Sequence, residues 1–174
     1  THTDPPLEDA IELANLGTEP ALIGGWWLSD DPMRPRKFRI PDGTRLAPGG
    51  FAVWYEQAFG PAAALANGFH FDPDRGGYAV LSAADATGTL TGFRSLVPFG
   101  ALDNGVSFGR YRTTVGDDYT VLAARTFGED APVTLDQFRR GRGAANAYPL
   151  VGPVVINEIM FQPAPDANGS ENHD

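Results

Sequence analysis

The sequence predicts an all-β protein, built as an antiparallel sandwich or barrel. About nine short segments alternate or concentrate apolar residues at strand period, at a spacing of roughly ten residues. Glycine and proline, with 21 and 15 residues, place turn signals between these segments. Because no segment has the length and period of a normal amphipathic helix, helical fold classes are disfavoured.

The first part of the chain supplies five predicted strands. They are AIELANL (10–16), ALIGGWWLS (21–29), KFRI (37–40), FAVWYEQ (51–57) and a short edge strand, FHF (69–71). Turns are expected at GTEP (17–20) and at the Pro-Asp-Gly and Pro-Gly-Gly runs within 41–50. Residues 58–68 allow only a helical turn, because Pro61 and the flanking glycines limit its length.

The second part contains a predicted hairpin, further strands and one short helix. Residues 77–96 form the hairpin around the turn DATG (85–88), and strands are expected at 105–112, 119–125 and 153–161. TLDQFRRG (134–141) is a helical turn that Thr134 would cap. Strand alternation predicts one shared core, formed by Ile11, Leu13, Trp26, Leu28, Phe38, Ile40, Val53, Val80 and Phe108.

Composition and charge exclude several function classes. The chain has no cysteine, so disulfides, thiol nucleophiles and cysteine metal sites are excluded. The net charge of −9 argues against nucleic acid as a partner, since phosphate binding needs a basic surface. The basic run MRPRKFR (33–39) lies beside acidic residues, so we expect a surface on which positive and negative charges offset one another. No apolar run approaches the ~20 residues that would span a bilayer, so no membrane insertion is expected.

Several segments in a fixed order resemble one known family. They are AIELANLGTEPALIGGWWLSDD, KFRIPDGTRLAPGGFAVWY, AVLSAADATG, VSFGRY, GAANAYP and GPVVINEIMF, within residues 8–161. Together they resemble the bacterial form of the lamin-tail domain. The resemblance implies an immunoglobulin-like antiparallel β-sandwich of about nine short strands.

One segment departs from the family order. In the lamin-tail family an INEIM-type strand precedes the IEL strand, whereas here it follows, within residues 153–161. This order is typical of a junction between tandem repeats. We therefore expect a lamin-tail-like sandwich over residues 1–152, and the first strand and loop of a following repeat over 153–174. That strand could dock on its own chain or exchange into a neighbouring copy.

The resemblance and the motifs predict a non-catalytic module. No Gly-x-Ser-x-Gly elbow or phosphate-binding loop occurs, and His2, His70 and His173 are too scattered to suggest a metal site. We expect a binding or structural module of a larger exported bacterial protein, located outside the cell or at its surface. Its signal peptide is not in this sequence. The expected partner is a protein or a cell-envelope polymer.

The paired tryptophans suggest a binding surface. Successive strand residues point to opposite faces, so Trp26 is expected in the core and Trp27 outside it. Trp27 with Arg34 and Arg36 forms the predicted binding site, unless a loop or these arginines simply cover the indole. The alternative function is a carbohydrate-binding module or minor glycan hydrolase, using Trp27, Tyr55, Tyr78 and loop carboxylates.

Calcium is the one cofactor that the loops suggest. Acidic pairs occur at Asp30/Asp31, Asp72/Asp74 and Asp117/Asp118. The C-terminal DANGSENHD offers alternating oxygen ligands, beginning with Asp166, Asn168 and Ser170, but departs from the EF-hand pattern. The sequence therefore predicts no required cofactor and no strong metal site, with calcium as the candidate to test.

Overall fold

The computed structural model describes residues 8–61, 67–103, 105–128 and 132–152. Over these ranges it contains ten strands and two single-turn helices, and every strand pair is antiparallel. The all-β prediction is confirmed, with one strand more than the approximate number expected. The strand expected at 153–161 and the calcium candidates Asp166, Asn168 and Ser170 lie outside the described residues.

The elements follow one another in this order: β1 (Ala10–Ala14), β2 (Ala21–Leu22), β3 (Trp27–Ser29), β4 (Phe38–Arg39), β5 (Arg45–Leu46), β6 (Phe51–Tyr55), α1 (Glu56–Phe59), β7 (Gly77–Ala84), β8 (Leu90–Phe99), β9 (Phe108–Thr113), β10 (Gly116–Val121) and α2 (Leu135–Phe138). Strands β4, β3, β7 and β8 form one four-stranded sheet in that order. The other pairs are β1–β6, β2–β5 and β9–β10.

The β7–β8 hairpin confirms the predicted turn. The Asp85 carboxylate accepts hydrogen bonds from the backbone N–H groups of Thr87 and Thr89, at 2.9 and 3.0 Å. Gly88 has a φ of 83°, which favours glycine. Local turn chemistry therefore determines this hairpin and the position of the long β8 strand.

The pairing of β1 with β6 corrects one predicted core position. Ile11 lies opposite Trp54 and Glu12 opposite Val53. Trp54, with Ile11, packs against the core cluster, which places Val53 on the other face with Glu12. The prediction for Val53 was wrong because FAVWY is apolar on both faces, so alternation alone could not select the buried one.

The central core includes predicted and unpredicted residues. Leu28, Phe38 and Ile40 are buried as predicted, and half-buried Ile11, Leu13 and Trp26 pack against them. The buried residues that the sequence pattern missed are Ile23, Leu46, Phe59 and Phe69. The rings of Phe59 and Phe69 stack with centroids 4.7 Å apart. Ile23 and Phe69 lie outside the strands, Phe59 lies in α1, and Leu46 lies in β5, which has only two residues and is too short to show an alternation.

Two other predicted core residues lie elsewhere. Val80 is fully buried, but it pairs with Ser29, and the neighbouring pair is Leu28 with Leu81. Val80 therefore lies on the sheet face opposite Leu28. Phe108 is half-buried and is not among the residues of the central cluster. Its ring contacts that of Phe99, with centroids 6.4 Å apart.

The structure differs from the predicted elements at two places and agrees with the predicted helix cap. Residues 69–71 form no strand, although Phe69 and Phe71 pack inward and His70 is exposed. Strand β10 begins at Gly116, three residues before the expected strand at 119–125. The helix α2 has the predicted Thr134 cap, in which the Gln137 N–H donates to Thr134 Oγ1 at 3.2 Å. Neither described helix is long and apolar enough to cross a membrane.

Candidate functional site

A groove of about 690 Å³ lies between β1 and β9. Ile11 and Leu13 line it on the β1 side and Phe108 lines it on the β9 side. Val97 and Phe99, from β8, contribute further apolar side chains. The groove is therefore a mainly apolar opening with residues of β1, β8 and β9 in its lining.

The register of β1 shows which of its backbone groups face the groove. The N–H of Asn15 donates to Gly50 O at 2.9 Å, and the N–H of Glu56 donates to Asp9 O at 2.8 Å. In an antiparallel pair such bonds recur at every second residue. The backbone groups of Ala10, Glu12 and Ala14 therefore point away from β6. Among the described residues, β6 is the only strand that pairs with β1.

The register of β9 gives the corresponding result on the opposite side. The N–H of Leu122 donates to Ser107 O at 2.9 Å, so alternate residues from Ser107 onward bond to β10. Phe108, Arg110 and Arg112 then direct their backbone groups away from β10. The side-chain amide of Asn146 already uses one of these groups, since its Nδ2 donates to Arg110 O at 2.8 Å.

The two strand edges and the apolar lining have the features by which sheet edges can accept an extended peptide. Backbone N–H and C=O groups along such edges bind another strand without regard to its sequence. An apolar floor would then select which side chains enter, because alternate residues of a strand point to the same side. An added strand would be held by shape and by backbone hydrogen bonding.

Residues 138–146 are fastened to the outer face of β1 and β6. The Arg139 guanidinium makes two hydrogen bonds to the Glu8 carboxylate, at 2.6 and 2.7 Å. The Tyr55 hydroxyl donates to Gly141 O at 3.1 Å, and burial raises the pKa of this phenol. This segment therefore covers the strand face that lies opposite the core.

Glu12, on β1, has an unusual pKa for a glutamate. Burial raises the pKa of its carboxyl group from 4.5 to about 7. The N–H of Ala144 donates to Glu12 Oε2 at 3.1 Å, which favours the ionised form and opposes the effect of burial. Glu12 therefore changes charge near neutral pH, beside the groove edge of β1.

Two of the three predicted binding residues line one pocket. Arg34 and Arg36, with Lys37 and Asn67, line a separate shallow pocket of about 350 Å³, and Trp27 is not among its described lining residues. Trp27 is half-buried, and its indole nitrogen is buried with no hydrogen-bond partner among the described residues. Burial of the indole nitrogen limits Trp27 as an exposed aromatic contact.

The aromatics proposed for carbohydrate binding differ in exposure. Tyr55 was expected to be exposed, but it is buried, with 7% of its surface accessible. Its ring packs on Phe138 with centroids 5.2 Å apart. Tyr78 is exposed. Tyr55 was misassigned because it ends an apolar strand that is covered on both faces, by the core and by residues 138–146.

The described acidic pairs already have protein partners. Asp30 forms an ion pair with Lys37, and Asp117 pairs with Arg110 and Arg112. The Asp72 carboxylate accepts hydrogen bonds from two backbone N–H groups in its own turn, and these bonds lower its pKa. No metal-binding group of three acidic or histidine residues occurs within the described ranges. These carboxylates stabilise loops and strands in the structure.

The comparisons with known proteins give no relative from which a function could be transferred. No family model, curated protein or solved structure matches the chain. The lamin-tail resemblance therefore stays a prediction. The sequence analysis did not predict the groove. The alternation of AIELANL does separate the β1 residues into two sets, whose backbone groups would face opposite edges of the strand.

Proposed function

We propose that the protein is a non-catalytic interaction module that binds an extended peptide strand in the groove between β1 and β9. The single observation that carries this proposal is the pair of strand edges facing one apolar groove. A strand in this position could add to both edges at once, so affinity would come from backbone hydrogen bonds. The apolar floor would restrict which sequences bind.

The lamin-tail resemblance supports the same class of function. In this proposal the chain is a lamin-tail domain with an immunoglobulin-like sandwich, and it belongs to a larger exported bacterial protein. It would act outside the cell or at the cell surface, where it attaches or spaces other components. The antiparallel, strand-rich architecture is consistent with this assignment. The preferred partner is a protein, because a sheet edge recognises a polypeptide backbone.

The carbohydrate alternative has less support from the geometry. Sugar rings stack through their C–H faces on exposed aromatic rings, whereas Tyr55 is buried and Trp27 is half-buried. The acidic pairs lie in loops with their own partners, as described above. A glycan-array measurement nevertheless provides a direct comparison of the two functions.

The test is selection of extended peptides from a random library on the immobilised protein. We expect binders with alternating apolar residues, and we expect binding to slow hydrogen exchange at the amides of Ala10, Glu12 and Ala14. Val97→Arg should abolish binding, because Val97 lines the groove on β8. Leu96→Arg is the matched control, since Leu96 is exposed on the opposite face of the same strand.

Binding that persists in Val97→Arg, or protection confined to other strands, would show that the groove is not the site. Thermal melts of both variants establish that the comparison is made on folded protein. Glycan binding that depends on Trp27, without any peptide binding, would favour the alternative function.

A further inference from the structure

We propose that residues 154–161 of a second copy of the chain occupy the groove between β1 and β9. The inference rests on the proposed function of the groove as a strand-binding site, and it names the occupant. It would make each copy both a donor and an acceptor of a strand. The described part of the chain ends at Gly152, close before this segment.

The sequence VVINEIMF has the composition that such a groove requires. In an extended strand Val155, Asn157, Ile159 and Phe161 share one face, and Glu158 lies on the other. A carboxylate is costly to bury without a partner. The face without Glu158 would therefore lie against the groove floor, next to the apolar side chains of Leu13, Val97 and Phe108.

The length of the segment also fits both edges. At ~3.4 Å per residue, an eight-residue strand extends over about 27 Å. Strand β1 has five residues and β9 has six, so a segment of this length matches the length of either edge, although Asn146 already occupies Arg110 O on the β9 edge. Backbone bonding to Ala10, Glu12 and Ala14 on one side, and to β9 on the other, would join the two strand pairs into one sheet.

The exit point of the chain argues for a second copy as the donor. The N–H of Leu150 donates to Val121 O at 2.8 Å, and the N–H of Ala123 donates to Tyr148 O at 2.8 Å. By the register of β9 and β10, these bonds lie on the edge of β10 that faces away from β9. The groove lies beyond β9, about three strand spacings or ~14 Å away.

Within one chain, the connection between this exit point and the groove is short. Between Leu150 and Val154 the backbone reaches ~14 Å only when fully extended, and β10 and β9 block the straight path. Docking of the whole segment in its own chain would therefore require a fully extended connection across β10 and β9. A second copy can supply the segment without that cost.

Two variants of the full chain provide a matched test. Ile159→Asp places a charge on the face proposed to contact the groove floor, and Met160→Asp places the same charge on the opposite face. We expect the unmodified chain and Met160→Asp to assemble with rising concentration in analytical ultracentrifugation. Ile159→Asp should weaken that assembly by about a hundredfold or more, because the buried carboxylate has no partner.

The Ile159→Asp chain then serves as the acceptor for a synthetic peptide of residues 153–163. Binding of the peptide, with slowed hydrogen exchange at Ala10, Glu12 and Ala14, is the expected result. A monomeric unmodified chain in which these amides are already protected would overturn the second-copy assignment in favour of docking within one chain. Equal assembly of the two variants would overturn the proposed occupant.

The outcome also separates this inference from the proposed function. If Ile159→Asp binds library-selected peptides in the groove but not peptide 153–163, the occupant is wrong and the strand-binding function stands. If no peptide protects the β1 edge, both proposals fail. Circular dichroism and melting of each variant confirm that the folded chain is being compared.

Discussion

Replacing Glu12 with glutamine should remove a pH dependence of stability that the structure assigns to one carboxyl group. Burial on β1 raises the Glu12 pKa from 4.5 to about 7. The folded chain therefore holds this proton more tightly than the unfolded chain does. The stabilising contribution is fully present below about pH 4.5 and is lost as the pH rises through about 7.

The magnitude follows from the shift and from the exposure of the side chain. A change from 4.5 to about 7 corresponds to about 3.5 kcal/mol, at ~1.4 kcal/mol per pH unit. Glu12 is only half-buried, so solvent screening reduces the expected effect to about 1–2 kcal/mol. Glutamine keeps a side-chain oxygen that can accept the hydrogen bond from Ala144 N–H, and it never becomes charged.

The assay is urea unfolding of the wild type and of Glu12→Gln between pH 5 and pH 8. We expect similar free energies of unfolding at pH 5, and a variant more stable than the wild type by about 1–2 kcal/mol at pH 8. Glu19→Gln is the control, because Glu19 is an exposed carboxylate in the turn after β1. If the difference in the free energy of unfolding between the wild type and Glu12→Gln does not change with pH, the reasoning is refuted.

Three further predictions concern stability. Trp54→Ala should lower the free energy of unfolding by about 3 kcal/mol, because it removes an aromatic ring that packs on the core, whereas Val53→Ala should lower it by about 1 kcal/mol. Equal losses in denaturant melts would contradict the observed faces of β6. Tyr55→Phe should cost about 1 kcal/mol, because it leaves Gly141 O without its hydrogen bond, and loss of protection in residues 138–146 should accompany it in hydrogen exchange. Thr134→Ala should cost about 1 kcal/mol by removing the cap of α2, while Thr134→Ser should retain most of that stability in thermal melts.

Several features could be predicted from the sequence because short-range chemistry determines them. The β7–β8 turn depends on Asp85 and Gly88, which lie three residues apart. The cap of α2 depends on Thr134 and Gln137 in the same turn. The polar and apolar alternation of AIELANL similarly identified Ile11 and Leu13 as the residues of β1 that face the core.

The tertiary structure decided the features that depend on distant segments. The apolar run FAVWY could bury either face, and packing of Trp54 against Phe38 selected one, with ring centroids 6.5 Å apart. Tyr55 is buried because residues 138–146 cross over it, which no local pattern indicates. The groove depends on the placement of β1 beside β9, two strands far apart in the chain. Alternation specifies which side chains share a face of one strand, but only the assembled fold determines which strand edges face each other.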